Sequence, residues 1–258
     1  MKIPRVMELK RDQIVILVKK DFKLKYDSTA LGMLWSVLTP LAMSGIYYFV
    51  FGKVMKFGGA SFALYIVTGT FLWHYFSSVV MQNGGVLMVN AALLKKTAFD
   101  RKLLVWSVYW TETMHFCLTI PVLAVFSFAF GVRPNILQFI ANVTVAMVSL
   151  MWFSMGIGYI FAALNLVLRD SKRILDVVFR IWFYATPVFI PMGRVPPEYS
   201  FIYDYNPMAM IMGTWRDAFY EPAFHPEKFL VLFAVSIVVF LAGRWFFAVH
   251  EPRFAERM

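Results

Sequence analysis

The chain has 258 residues, of which 60% are hydrophobic and only 16% charged. Ordinary soluble domains carry about 45–50% apolar and roughly 25% charged residues, so this chain lacks the charge to cover a water-soluble globule and reads as an integral membrane protein. Its net charge of +10 does not point to nucleic acid, because the positive residues crowd the short segments between apolar runs, as orientation in a bilayer requires.

A tail of 27 residues precedes the first long apolar run. Within it, ELKRDQIVILVKKDFKLKY (8–26) puts Ile14, Leu17, Val18 and Phe22 on one helical face with lysines around the rest. That is the pattern of an amphipathic helix lying along the membrane interface; a solvated tail helix is the plainer alternative. Uncharged runs at 28–52, 57–94 and 134–168 follow, and a bilayer core takes about 20 apolar residues per helix. The runs predict an all-α fold with six transmembrane helices, at about 31–52, 62–82, 104–131, 137–164, 174–191 and 229–249. The chain divides into the tail and interface helix (1–27) and one six-span bundle (28–258).

The tail holds eight Lys/Arg, and Lys95, Lys96, Arg101, Lys102, Arg169, Lys172 and Arg173 follow the second and fourth spans. The alternate segments hold only Lys53, Lys56, Arg133, Arg194, Arg216 and Lys228. The positive-inside rule then places both termini in the cytoplasm, which requires an even number of spans. Arg180 is a charge near the inner end of the fifth span. Asp176 stands one turn before it, close enough on a helix for an ion pair, and the arginine can also snorkel to the interface.

Residues 206–220, NPMAMIMGTWRDAFY, begin with a cap-then-proline signal. Met208, Ile211, Met212, Trp215 and Phe219 then recur with helical spacing. Such a helix is too short to cross a bilayer, so it is re-entrant or lies outside, between the fifth and sixth spans. It either constricts a path as an external gate or merely caps the bundle.

Chemistry-bearing motifs are sparse. The sequence has no GxxxxGK[ST] loop and no HExxH. Its four histidines are scattered and Cys117 is its single cysteine, so neither a metal centre nor an intrachain disulfide is expected. Glu112 and His115 share a face within the third span, as a structural pair or, less simply, a proton relay. No carboxylate pair or nucleophile–base set stands out, so the chain is not expected to be an enzyme. Ser154, Gly158 and Ala162 recur every four residues on the fourth span, a surface for close helix packing within the chain.

Several motifs then converge. YDSTALGMLWSVLTPL (26–41) resembles the start of the first span of ATP-binding-cassette polysaccharide-export permeases, where Y-x-x-S-x-L-G-x-x-W-x-x-x-x-P-L is typical. Tyr26, Leu31, Gly32, Trp35, Pro40 and Leu41 match, and Thr29 stands in place of serine. NAALLKKTAFDRKLL (90–104) resembles the family loop N-x-x-L-x-K-x-x-x-F-P-R, with Asp100 in place of proline, which leaves the local turn open. LNLVLRDSKRILDVVF (164–179), TPVFIP and YNPM complete the likeness in order along the chain.

The chain is thus similar to the membrane subunit of O-antigen exporters (the Wzm type), related to capsule and teichoic-acid permeases. The resemblance implies a homodimer in the bacterial inner membrane, joined to two separate ATPase subunits that bind ATP and Mg. It also implies an undecaprenyl-diphosphate-linked polysaccharide substrate, moved from cytoplasm to periplasm, with no cofactor on this chain. Spans 1 and 5 would line the path, through Trp35, Tyr47, Tyr48, Phe51, Phe179, Trp182, Phe183 and Phe189, with Asp176 and Arg180 at its inner mouth. Leu94, Lys95, Lys96, Phe99 and Arg101 would couple to the ATPase, with Asn90 capping the coupling helix. Arg5, Lys10 and Arg11 would meet the diphosphate or, more simply, anionic lipid. The alternatives are a drug or small-lipid exporter on the same scaffold and, in another class, a membrane glycan or lipid transferase.

Overall fold

A computed structural model describes residues 3–26, 31–59, 61–96, 99–168, 170–220 and 226–254. In it, helices α1 (Ile3–Tyr26), α2 (Trp35–Tyr47), α3 (Phe62–Val89), α4 (Ala91–Lys96), α5 (Lys102–Cys117) and α6 (Ile120–Ala129) form the first half. The second half comprises α7 (Ile136–Val167), α8 (Ser171–Tyr184), α9 (Phe201–Asp204), α10 (Pro207–Tyr220) and α11 (Pro226–His250). Among the described residues no strand occurs. Among the described residues, five stretches are long and apolar enough to cross a membrane: Gly32–Val54, Phe62–Val89, Lys102–Ala129, Ile136–Val167 and Phe229–His250.

Prolines break two of these helices, although α2 runs on through Pro40. Pro121 sits in the first turn of α6 and splits the third span at Leu118–Thr119, because it cannot donate to the carbonyl four residues back. The segment expected as a fifth span, 174–191, differs from expectation for the same reason. Its helix α8 stops at Tyr184 after 14 residues, about 21 Å at 1.5 Å per residue. Pro187 has no N–H for Phe183 and its ring would strike that carbonyl, so 185–191 turns instead. Asn206 holds the turn, donating to the Ala185 carbonyl at 2.8 Å and to the Thr186 hydroxyl at 3.0 Å.

Contacts at one end of the bundle fix the direction of the chain. Lys10 of α1 pairs with Asp100 at 2.8 Å, while Arg101 and Lys102 each lie 3.8 Å from Glu251, just past α11. The start of α1, the α4–α5 loop and the end of α11 therefore share one end. For α11 to return there, the chain must travel to the far end after α7, and the short α8 is the helix that begins this passage.

The amphipathic helix expected at the membrane interface forms as α1, but it leans on α5. Lys10 meets Asp100, and fifteen residues later Lys25 meets Glu112 at 3.2 Å, so the two helices run side by side in the same direction. The apolar stripe is spent on this packing: Leu17 and Val18 are buried, and Ile14 and Phe22 are half-buried. Asp100, which replaces the expected proline, accepts from the Lys102 amide at 3.2 Å at the start of α5. Burial alone raises its carboxyl, but the bond from Lys10, the Lys102 amide and both ammonium charges bring it below the ordinary aspartate value. A depressed carboxylate stabilises above its unfolded pKa, and the contribution is lost as pH falls through the folded one. Anchorage of α1 at Asp100 should thus hold at neutral pH and loosen in acid. Hydrogen exchange of α1 amides should report this, and Asp100→Asn should remove the acid sensitivity.

At the centre stands α3, which is mostly buried, whereas Gly32–Val54 is largely exposed. The stripe on α7 packs within the chain as expected: Ser154 and Ala162 are buried, and a Cβ at Gly158 would come 2.9 Å from the Asn83 amide of α3. On its other side, Gly156 of α7 faces Gly243 of α11, so closely that a Cβ on Gly243 would overlap the Gly156 carbonyl.

Candidate functional site

A cavity of about 430 Å³ opens between α2, α3 and α8. Tyr47 and Met43 from α2, Trp73 and His74 from α3, and Phe179, Phe183 and Tyr184 from α8 line it, along with Asp176 and Arg180. The amphipathic register of α8 builds this wall: Lys172, Asp176 and Arg180 recur every four residues along one stripe, and the adjoining stripe of Leu175 and Phe179 is buried. The Thr70 hydroxyl borders the cavity and is buried without a hydrogen-bond partner. A polar group so placed costs free energy while it stays unpaired.

Of the eight aromatic residues expected on a path, Tyr47, Phe179 and Phe183 reach this cavity. Trp35 lines a second one beside it. The others pack: Phe51 stacks on Phe189 at 4.3 Å, and Tyr48 lies under the Lys53 ammonium at 5.7 Å. Trp182 donates its indole N–H to Asn206 at 2.9 Å. That bond explains the cap signal at 206, because the same Asn206 oxygen also accepts from the Met208 amide at 3.0 Å. Asp176 and Arg180 line the cavity together, but among the ion pairs of the described residues none joins them. The expected structural pair is replaced by two separate charges facing one space.

The helix expected at 206–220 forms as α10, and Met208, Ile211, Met212, Trp215 and Phe219 are all buried. They bind α10 to the bundle and do not present a free apolar face. On α4, Leu94 is buried and Lys95 exposed, whereas the side chain of Lys96 lies outside the described residues. Phe99 and Arg101 are half-buried, and Arg101 is engaged with Glu251. Asn90 directs its side chain backwards, donating to the Val86 carbonyl at 2.9 Å and accepting from Lys20 at 2.8 Å. The side chain of Arg5 also lies outside the described residues, Lys10 is held by Asp100, and Arg11 is exposed on the rim of an apolar groove against α5.

Sequence reasoning missed two features. Arg216 of α10 is buried at 6% exposure, its guanidinium 3.4 Å from the Tyr65 ring centre. It donates to the carbonyls of Pro187, Val188 (2.7 Å) and Tyr65 (3.1 Å), thereby tying the turn after α8 and helix α10 to α3. Gly69 makes room, since a Cβ there would run into the guanidinium. The available signal was register: Arg216 stands four residues after Met212 and three before Phe219, on the stripe that had to be buried.

The second is the company kept by Glu112 and His115. They pair as expected at 3.4 Å, but Lys25 reaches Glu112 at 3.2 Å and Tyr26 meets the far ring nitrogen of His115 at 3.0 Å. Phe22 packs on the same imidazole, ring centres 4.7 Å apart. No spacing rule links 25 to 112, and only the lean of α1 on α5 brings them together. Lys25→Met should destabilise the protein by about 1–3 kcal/mol, because it strips a buried carboxylate of a charged partner. Adding Glu112→Gln should recover much of that loss in thermal unfolding, as a double-mutant cycle requires of a direct pair.

Apolar helices long enough to cross a membrane surround this cavity. Residues 12–220 match the ABC-2 type transporter family, and the chain belongs to that family; with its several apolar helices it is a multi-pass membrane protein. Among characterised relatives, it is 34% identical over 245 residues to the O-antigen export system permease protein RfbA of Klebsiella pneumoniae, covering 95% of this chain and 94% of that one. The protein of the same name from Myxococcus xanthus is 29% identical over 249 residues, covering 95% of each. The polysialic acid transport protein KpsM of Escherichia coli is 21% identical over 220 residues, covering 82% of each.

Proposed function

We propose that this chain is the membrane subunit of an ATP-driven exporter that carries a lipid-linked polysaccharide out of the cytoplasm. The observation that carries the reading is the aromatic cavity between α2 and α8, lined by Tyr47, Phe179 and Phe183 with two charges. A sugar chain is polar yet presents apolar C–H faces, and amphipathic rings give repeated contact without holding it fast. The relatives named for O-antigen and polysialic acid transport support the same substrate class.

The cavity is bounded by only one side of a wall. Met43 and Ile46 on α2 and Phe49 just past its end are exposed, as are Val177, Ile181 and Tyr184 on α8. A second copy laid against this face would close the cavity into a conduit, which supports a homodimer. ATP and Mg would be bound by two separate ATPase subunits docking at the end that holds α4, with Lys95 an accessible contact. That end would be cytoplasmic, in the inner membrane, with α8 and the turn after it completing a sixth passage and α10 closing the outer end. A polyprenyl diphosphate carrier would meet Arg11, with Arg5 beside it in sequence, whereas Lys10 would first have to leave Asp100.

A strain lacking this gene should accumulate lipid-linked polymer inside the cell and lose it from the surface. Normal surface polymer in the deletion strain would overturn the reading. Docking at α4 is tested separately with Lys95→Glu, which should reduce co-purification of the ATPase without disturbing the fold. Leu94 is unsuited to that test because it is buried.

A further inference from the structure

Behind Pro40 lies a second cavity of about 340 Å³, enclosed by α2, α3, α5 and the last residues of α1. Small-molecule pockets begin at about 300 Å³, so it is large enough for one sugar ring. It shares Thr39, Pro40 and His74 with the aromatic cavity, of which it is a side chamber. Its floor is the network of Lys25, Glu112 and His115, with Glu112 and His115 each at 5% exposure. The hydroxyls of Ser36 and Ser78, the Gln82 amide and the face of Trp35 complete the wall.

We propose that this chamber is a saccharide-binding pocket that takes one neutral sugar residue of the exported chain as it joins the aromatic path; the proposal rests on the exporter reading above. The charge balance selects the ligand. Lys25 is already matched by Glu112 at 3.2 Å, so the floor carries no surplus charge for a phosphate. Among the described residues no group of three His, Cys, Asp or Glu is placed to hold a metal ion. What remains is a carboxylate with spare lone pairs, several hydroxyls, an amide and an aromatic platform. Sugar hydroxyls donate to such a carboxylate and amide, while the C–H face of the ring lies on an indole.

The test uses the full-length chain in lipid nanodiscs with Cys117, its single cysteine, changed to serine and a reporter introduced as Ser78→Cys. The probe is a short oligosaccharide cut from the host's own surface polysaccharide and freed of its lipid by mild acid. It should slow thiol labelling at position 78 by about tenfold, and inorganic pyrophosphate should not. Glu112→Gln should weaken this protection by about tenfold, the worth of a hydrogen bond to a charged group. Gln82→Leu, at a side chain exposed on the rim, should weaken it several-fold and leaves the buried network intact should Glu112→Gln fail to fold. Labelling unchanged by the oligosaccharide, or slowed by pyrophosphate in its place, overturns the pocket. The exporter reading is judged apart, by whether the deletion strain traps polymer.

Discussion

Arg216→Ala is expected to destabilise the protein by at least about 3–5 kcal/mol and to abolish export. A hydrogen bond to a charged group contributes roughly 1.5–3 kcal/mol, and this guanidinium makes bonds to the carbonyls of Pro187, Val188 and Tyr65. Truncation leaves the Val188 carbonyl without its donor, while Pro187 keeps only the Tyr65 hydroxyl at 3.2 Å and Tyr65 the Thr68 hydroxyl at 3.1 Å; it also opens a void against the Tyr65 ring and loosens the turn after α8 from α3. Arg216→Lys should rescue only partly, since a single ammonium cannot reproduce the planar fork or its stacking. Thermal unfolding in nanodiscs, together with protease sensitivity of the 185–191 turn, reads both variants. A melting curve like that of the wild type for Arg216→Ala would show that the fork contributes nothing. Gly69→Ala should mimic the loss from the opposite side, because its methyl would occupy the space of the guanidinium.

The next largest effect is expected at the crossing of α7 and α11. At Gly243 even one methyl group is too much: a Cβ would overlap the Gly156 carbonyl. Both partners are backbone, so no side chain can swing aside, and Gly243→Ala should cost about 1–3 kcal/mol by overpacking or force the helices apart. Helix propensity alone predicts the opposite sign, since alanine is favoured over glycine in a helix by about 1 kcal/mol. Gly45→Ala in α2 makes the control, because nothing lies within 4 Å of its Cβ position; it should be neutral or stabilising. If both substitutions behave alike in unfolding, the close approach of α7 and α11 is wrong.

These expectations divide according to what a linear chain can reveal. Hydrophobic run length, a property of each segment alone, determined the all-helical membrane class and five of the spans. Asn206 followed by Pro207 determined the start of α10, since capping is a local rule of backbone geometry. The fifth passage was misjudged because its apolar composition continues through Pro187 to Ile190, while the helix does not; composition reports solvent preference and is blind to a missing N–H. The side-by-side lean of α1 on α5 was not legible, because an amphipathic stripe fits lipid or protein equally well. Everything that depends on that lean was hidden with it, including the meeting of Lys25 with Glu112 and of Tyr26 with His115.

The candidate site shows the same division. The sequence marked Tyr47, Phe179, Phe183, Asp176 and Arg180, and folding brings them to one cavity. It also marked Trp182 and Phe189, whose rings are used in packing. Aromatic residues at helical spacing are the same signal whether they face a path or a neighbour. Which of the two holds depends on the rotation of α8 against α3, and that is set by long-range packing. By itself the sequence determined the solvent and most of the helices. The tertiary structure alone decided which rings stand free, which charges are matched, and that Arg216 is held by three backbone carbonyls, because each depends on groups far apart in the chain meeting in space.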